Sequence, residues 1–403
     1  MVVSPLLAYE KIVGSHEIEE ILALADKIKG VSVTHINSTL KGGGVVEILR
    51  SLVPLFNLVG IPCRWEVIQG TEKFFRTTKF FHNLLQGRHL REKQNITEDM
   101  LDEYRRVSEE NIKRIDLTSD VVVIHDPQPA ALIKAKEGNK WIWRCHIDLS
   151  HPDKKVWDFL YSYIARYDAA IFSMEDFVQP LPLAYYIVPP SIDPLSDKNK
   201  ELSTDQIKSV FRKLKIPQDK SILLQVSRFD YFKDPIGVIK VYRGVKKRFD
   251  CRLILAGGEA KDDPEGSEVL KQVKEEAGGD PDIHILNLAP ESFFEINALQ
   301  RGTDIVIQKS LREGFGLTVT EALWKARPVV GGNVGGIRLQ IKHGENGFLV
   351  NSIEEAVDKV KYLLQNTSHA RQMGEEGREA VRDKFLITRH FKDYLRLIGE
   401  LCS

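Results

Sequence analysis

The feature that most constrains the fold is an alternation: short apolar runs and stretches of helical periodicity succeed one another along nearly all 403 residues. Strand-like runs at 31–36, 63–68, 120–125, 141–145, 169–172 and 186–188 are separated by helical stretches such as 16–29, 45–59, 72–85, 98–114 and 155–166. Only the first dozen or so residues read as an extended start. The strands are continuously apolar, as in Val121-Val122-Val123-Ile124, so both faces of each must be covered. Alternation with doubly buried strands predicts parallel sheets with helices on both sides, an α/β class.

The chain is too long for one core, and residues 189–217 interrupt the pattern with prolines and short polar side chains. The expected domains are 1–215, with a linker from about 189, and 216–386. A C-terminal helix within 387–403 is expected to pack back on the first domain. The second half repeats the alternation, with strands at 221–226, 252–256, 282–286, 304–308, 328–330 and 347–350. Its helices are expected at 234–247, 264–276, 291–301, 317–326, 353–364 and 368–383.

Charge is balanced at 57 basic against 57 acidic residues, which gives no electrostatic case for nucleic acid. No run approaches the 18 or so apolar residues that span a membrane, and no secretory leader pattern opens the chain. A cytoplasmic protein without membrane partners is therefore expected. The four cysteines are far apart and the 11 histidines scattered, so reduced structural thiols and no metal site are expected.

Strand 304–308 runs into Ser310-Leu311-Arg312-Glu313-Gly314-Phe315-Gly316-Leu317, and a helix follows. The first free N–H groups of a helix favour an anion, and Gly314 and Gly316 let backbone approach it. Glu313 would lie before that helix and Glu321 just over one turn into it. Carboxylates repel an anion but accept hydroxyl hydrogen bonds well. The ligand inferred is a sugar joined to phosphate. The alternative makes Glu313 an ordinary acid at a helix start and Glu321 a solvated helix residue.

Other strand ends carry polar clusters. Arg228 and Lys233 follow strand 221–226 and could hold a diphosphate, although isolated loop cations are more often solvated. Strand 120–125 ends in His125-Asp126-Pro127-Gln128, and strand 141–145 in His146-Ile147-Asp148. Ligands in open parallel sheets bind past the carboxyl ends of strands. That makes Asp126, Gln128, His146 and Asp148 candidates for sugar hydroxyls, with helix capping as the alternative for the two aspartates. Gly42-Gly43-Gly44 joins strand 31–36 to a helix, either as another anion-capable edge or as a tight connection. It is neither a dinucleotide fingerprint nor a Walker loop.

Taken in order, Arg228 with Lys233, Glu313-Gly314-Phe315-Gly316 through Glu321, Gly335-Gly336-Ile337 and Gly344-Glu345-Asn346-Gly347 resemble the C-terminal half of the family 4 retaining glycosyltransferases. His125-Asp126-Pro127-Gln128-Pro129 and Trp141-Ile142-Trp143-Arg144-Cys145-His146 resemble the trehalose glycosyltransferring synthases of archaea and bacteria. The resemblance covers nearly the whole chain and is weakest over the first dozen residues and around 87–116. It implies the GT-B fold: two Rossmann-like doubly wound domains facing across a cleft.

It further implies a retaining glycosyltransferase that moves glucose reversibly from a nucleoside diphosphate glucose, such as UDP-glucose or ADP-glucose, to glucose, giving trehalose. Arg228 and Lys233 would hold the diphosphate, Glu313 the donor glucose, Glu321 the ribose, and the backbone of Gly314, Phe315, Gly316 and Leu317 would line the donor. Gly43 and Gly44 would lie against the phosphates from the opposite domain, with the base near Leu288. His146 would contact the donor glucose, and Asp126, Gln128 and Asp148 the acceptor. Catalysis would rest on Arg228, Lys233, Asp126, His146 and Glu313. No cofactor is built in, Mg²⁺ could accompany the diphosphate, and a homodimer is one open assembly. The rivals are a retaining trehalose phosphorylase and a catalytically silent sugar- or nucleotide-binding protein.

Overall fold

Strands apolar on both faces are satisfied only between two layers of helices, and each half of the chain is built that way. The computed structural model describes residues 4–87, 96–258 and 264–403. Part of the weakly matching 87–116 region, residues 88–95, therefore lies outside the described residues. The chain divides into one unit of Met1–Pro190 with Ile387–Ser403 and a second of Ser191–Leu386.

The first unit holds β1 (Val33–Asn37), β2 (Cys63–Val67), β3 (Val121–His125), β4 (Lys140–Arg144), β5 (Ala169–Phe172) and β6 (Ala184–Ile187) in one sheet of order β2-β1-β3-β4-β5-β6. Every pairing is parallel. Its helices are α1 (Ser4–Val13), α2 (Ser15–Lys27), α3 (Gly44–Leu58), α4 (Glu72–Leu85), α5 (Glu98–Arg114) and α6 (Lys154–Ile164). On one face Phe74, Phe81, Tyr104, Trp141 and Trp143 form a core, which Phe80 joins and against which Phe75 packs. The expected extended start is instead the helix α1. Its Leu6 and Tyr9 are buried beside Ile18 and Ile21 of α2, and Pro5 sits in the first turn, where its missing N–H is not needed.

The second unit opens with α7 (Thr204–Lys213) and holds β7 (Ser221–Val226), β8 (Cys251–Gly257), β9 (Ile283–Asn287), β10 (Ile305–Gln308), β11 (Val329–Gly332) and β12 (Phe348–Val350). The parallel order is β12-β11-β10-β7-β8-β9. Around it lie α8 (Pro235–Lys246), α9 (Pro264–Ala277), α10 (Phe293–Gly302), α11 (Leu317–Trp324), α12 (Ile337–Gln340), α13 (Ile353–Gln365) and α14 (Thr367–Lys384). The chain then ends in α15 (Ile387–Cys402), whose Phe391, Tyr394, Leu395 and Ile398 join the second face of the first unit's core.

The domain boundary differs from the sequence expectation of 215: residues 191–215 belong to the second unit. Ser203 and Gln206 form a capping box that starts α7 despite the nearby prolines. Phe211 then packs so closely on α10 that a Cβ on Gly302 would fall 2.4 Å from its ring. Ahead of α7, Arg301 binds Glu201 at 2.7 Å and donates to the Asn199 carbonyl at 3.1 Å. A segment tied down this way is part of the domain and not a linker.

In both sheets the strand order reverses at one point, between β1 and β3 and between β7 and β10. At such a point neighbouring loops diverge and leave a ligand crevice at the strand carboxyl ends. All the candidate residues but Leu288, which follows β9, come after these strands or their neighbour β4.

Candidate active site

In the second unit the loop after β7 is set by two aspartates. Asp230 accepts from the Phe232 N–H at 2.8 Å. Asp234 adopts φ 49° and caps α8 by accepting from the Gly237 N–H at 3.0 Å. Lys233 lies between them, its carbonyl accepting from Gln225 Nε2 at 2.7 Å. The loop after β10 is fastened to this one, because the Leu311 N–H donates to the Phe232 carbonyl at 2.7 Å.

Across that junction Lys233 Nζ lies 2.7 and 2.6 Å from the two carboxylate oxygens of Glu313. Ser310 Oγ adds a third bond to Glu313 at 3.1 Å. Arg228, about half exposed, lies 3.4 Å from Asp230 on the same loop. The turn 313–316 is held from below. A Cβ on Gly335 would fall 1.8 Å from the Glu313 carbonyl oxygen, and one on Gly336 2.4 Å from Phe315 Cα. Gly316 reaches φ 85°, a conformation that favours glycine, and α11 begins at the next residue. Phe315 is buried and its carbonyl accepts from Gln340 at 2.6 Å. Gly314, Gly316 and Leu317 are partly exposed. The result is a fixed cation beside a fixed carboxylate at a helix N-terminus.

Glu321 is not the solvated helix residue of the alternative reading. It is fully buried, with Lys198 Nζ 2.9 Å from Oε1 and Gln300 donating to Oε2 at 3.1 Å. Burial pushes its pKa up, but Lys198 and Lys325 outweigh burial and leave the carboxyl below its ordinary value. Lys325, one turn on, is brought down to about 7 by burial, which Glu321 only partly offsets. Leu288 follows β9, its N–H donating to the Gly257 carbonyl at 2.6 Å. Gly257 and Gly258 crowd Ser227 and Leu288, and a Cβ on them would fall 1.7 and 2.6 Å from those carbonyl oxygens. This glycine pair at the end of β8 belongs to the same edge, and sequence reading passed over it.

In the first unit Gly43, at φ 85°, precedes the first residue of α3, Gly44, in an exposed loop. Asp126 adopts φ 65°, strained for a residue with a side chain. Its Oδ1 accepts from the His146 N–H at 2.8 Å, so the ends of β3 and β4 are joined through two candidate residues. Burial raises the Asp126 carboxyl to about 6. Gln128 Oε1 is buried with no partner among the described residues. Asp148 is buried and accepts from the Ser150 N–H and Oγ at 2.9 and 2.5 Å. Neither aspartate caps α6, a task that falls to Asp153.

Two residues here carried no signal as isolated letters. His35 of β1 lies 2.9 Å from His125, which lies 2.9 Å from His146. Arg144 is fully buried and donates to the Val188 carbonyl at 2.7 Å, with Nε and Nη1 unpartnered among the described residues. Burial, with Arg144 and neighbouring rings adding to it, holds His125 and His146 well below the ordinary imidazole range. Among the described residues no group of three or more His, Cys, Asp or Glu could hold a metal ion. No helix there is long and apolar enough to cross a membrane.

Residues 35–179 match the family model described as trehalose synthase, N-terminal domain, and residues 206–380 match glycosyl transferases group 1. The chain is 47% identical to a trehalose synthase of Pyrococcus horikoshii over 98% of its own length and 95% of that protein. To a trehalose phosphorylase of Pleurotus pulmonarius it is 28% identical, over 86% of this chain and 54% of that protein. An α,α-trehalose-phosphate synthase (UDP-forming) of Burkholderia xenovorans, solved with glucose-6-phosphate, superposes with a TM-score of 0.74 at 13% identity, covering 91% of this chain and 99% of that one. That last likeness concerns the fold, which is GT-B. Identity near one half, sustained from end to end, places the chain in the trehalose synthase family of glycosyltransferases.

Proposed function

We propose that this glycosyltransferase moves a glucosyl group from a nucleoside diphosphate glucose to free glucose, retains the donor's α configuration and forms trehalose reversibly. The observation that carries the reading is the clamp of Lys233 on Glu313, at 2.6 and 2.7 Å, where the second sheet reverses its order. A diphosphate takes the cations Lys233 and Arg228, and the donor sugar's hydroxyls take the Glu313 carboxylate that Lys233 now occupies. The partial positive charge at the start of α11 adds to the anion's stabilisation. Gly314, Phe315, Gly316 and Leu317 supply close backbone. Leu288 lines the base and offers no polar group to choose among bases. In the first unit Asp126 and Gln128 take acceptor hydroxyls, and His146 a hydroxyl of the donor glucose. For Glu321 to reach the ribose, Lys198 must first give way.

In this scheme the bond from the glucosyl C1 to the diphosphate oxygen breaks and its electron pair leaves with the diphosphate. The acceptor hydroxyl oxygen bonds to C1 on the same face, and its proton passes to the departing oxygen. Charge growing on the diphosphate is what Arg228 and Lys233 stabilise. Mg²⁺ enters only on the diphosphate, which a chelator titration of the transfer rate tests.

The deciding experiment mixes the protein with several nucleoside diphosphate glucoses and glucose, then identifies products by NMR. Trehalose with one equivalent of released nucleoside diphosphate is expected. The 28% identity to a trehalose phosphorylase favours one rival. Glucose 1-phosphate formed from trehalose and inorganic phosphate, with no binding of nucleoside diphosphate, would replace the synthase reading by phosphorolysis.

A further inference from the structure

Three histidines of the first unit, separated by 90 and 21 residues in sequence, stand in a line. His35 Nδ1 meets His125 Nε2 at 2.9 Å, and His125 Nδ1 meets His146 Nε2 at 2.9 Å. The sheet order makes the line, since β1 and β3 are neighbours, β4 follows β3, and His35, His125 and His146 lie in or just past them. His146 Nδ1, the outer end, makes no hydrogen bond to any described residue and belongs to a partly exposed side chain.

A neutral imidazole carries one N–H and one bare nitrogen. Burial, with the buried Arg144 cation near His125 and His146, keeps these two rings neutral, and burial alone brings His35 down to about 3. Two contacts in series then allow only two consistent proton arrangements. In the outward one His35 Nδ1–H donates to His125, His125 Nδ1–H donates to His146, and His146 presents Nδ1–H to the outside. In the inward one every proton moves to the other nitrogen, and His35 is left with an Nε2–H pointing into the core. Any mixture sets two N–H groups or two lone pairs face to face and loses a bond.

The inner end decides between them. His35 Nε2 is buried without a partner among the described residues, and the rings of Phe56 and Tyr394 have their centroids 5.9 and 5.7 Å from that of His35. Orphaned N–H groups are rarer in protein interiors than under-satisfied acceptors. A bare nitrogen belongs there, which fixes the outward arrangement.

We propose that His35 and His125 are positioning residues that lock His146 as the Nδ1–H tautomer, so that it offers its ligand a hydrogen-bond donor and never an acceptor. On the function proposed above, from which the ligand's identity is taken, that ligand is a hydroxyl oxygen of the donor glucose. Histidine tautomers are set by the bond that the other ring nitrogen makes, and here that bond is relayed across the sheet.

Long-range proton–nitrogen NMR on protein labelled with ¹⁵N-histidine reads the tautomers, with His146 assigned by the signal lost in His146→Gln. Protonated Nδ1 and bare Nε2 at both His125 and His146 are expected. A dominant Nε2–H at His146 in the unmodified protein overturns the proposal. His125→Phe keeps an aromatic ring against His35 and His146 while removing the donor to His146 Nε2. In that variant His146, partly exposed and released from the relay, should become a tautomer mixture, and KM for the sugar donor should rise about fivefold with kcat little changed, the worth of one neutral hydrogen bond. An unmixed His146 tautomer in His125→Phe also overturns it. The tautomers are read without any turnover assay, so a failure of the glucosyl-transfer reading would be seen separately.

Discussion

Lys198 Nζ sits 2.9 Å from Glu321 Oε1, and that carboxylate is fully buried in the second unit. Removing one partner of a buried ion pair leaves the other charge uncompensated, which costs far more than the intact pair contributes. Lys198→Met should lower unfolding stability by about 3 kcal/mol, the low end for such a break, because Lys325 remains near the carboxylate. Adding Glu321→Gln should recover most of the loss, since the charge is then gone. Urea denaturation of the two variants checks both values, and a neutral outcome for Lys198→Met alone would show that the pair is open to water.

The Asp126 carboxyl is raised by burial to about 6. The sign follows directly. The folded state holds this proton where the unfolded chain, titrating near 3.9, has released it. Asp126 therefore withdraws stability as pH climbs from roughly 4 to 6. Only the ionised carboxylate accepts hydrogen bonds on both oxygens, so kcat/KM for glucose should rise through pH 6 and level off above it. His125 and His146 stay neutral in that window because burial holds them well below the usual range. Asp126→Asn should flatten both profiles. An acceptor profile that keeps its step near pH 6 in Asp126→Asn would assign the titration to another group.

Most of the architecture was legible because it depends on local pattern. Continuous apolar runs marked β3 and β5, and α4 and α5 begin and end where helical periodicity puts them. The helix α7 was obscured because prolines on either side outweighed the capping-box letters Ser203 and Gln206. At the site, Lys233 and Glu313 were each legible as strand-end residues, but only the adjacency of β7 and β10 pairs them. The depth of Glu321 could not be read, since its cover comes from Lys198 on a segment assigned to the other domain. His35 was illegible for a related reason: a histidine within an apolar strand looks like core until the sheet order brings it beside His125.

Gly335 tests the packing beneath the site without touching a charged group. At φ 43° it already occupies a conformation that costs other residues about 1–2 kcal/mol. Its Cβ would also fall 1.8 Å from the Glu313 carbonyl oxygen, so the 313–316 turn must shift to admit it. Displacements of that order can cost about a hundredfold in rate. Gly335→Ala should therefore lower kcat/KM for the sugar donor by at least roughly tenfold while the protein still unfolds cooperatively. Normal kinetics in a folded variant would mean that the turn tolerates movement and that Glu313 need not be held so closely.

The two cations of the β7 loop should be separable by what each touches. Lys233 has Glu313 at 2.6 and 2.7 Å, whereas Arg228 is about half exposed and lies 3.4 Å from Asp230. In the proposed mechanism both charges act on the leaving group, and removing such a partner costs about a hundredfold to a thousandfold in turnover. Arg228→Ala should show that loss with little change in melting temperature. Lys233→Ala should show it together with a stability loss, because it also strands the buried Glu313. Lys233→Ala combined with Glu313→Ala should regain stability without regaining activity, the non-additive pattern of two groups in contact. Release of nucleoside diphosphate and thermal unfolding measure the two effects side by side. Turnover close to normal in one single variant would remove that residue from the diphosphate role, and in both variants would refute the role altogether.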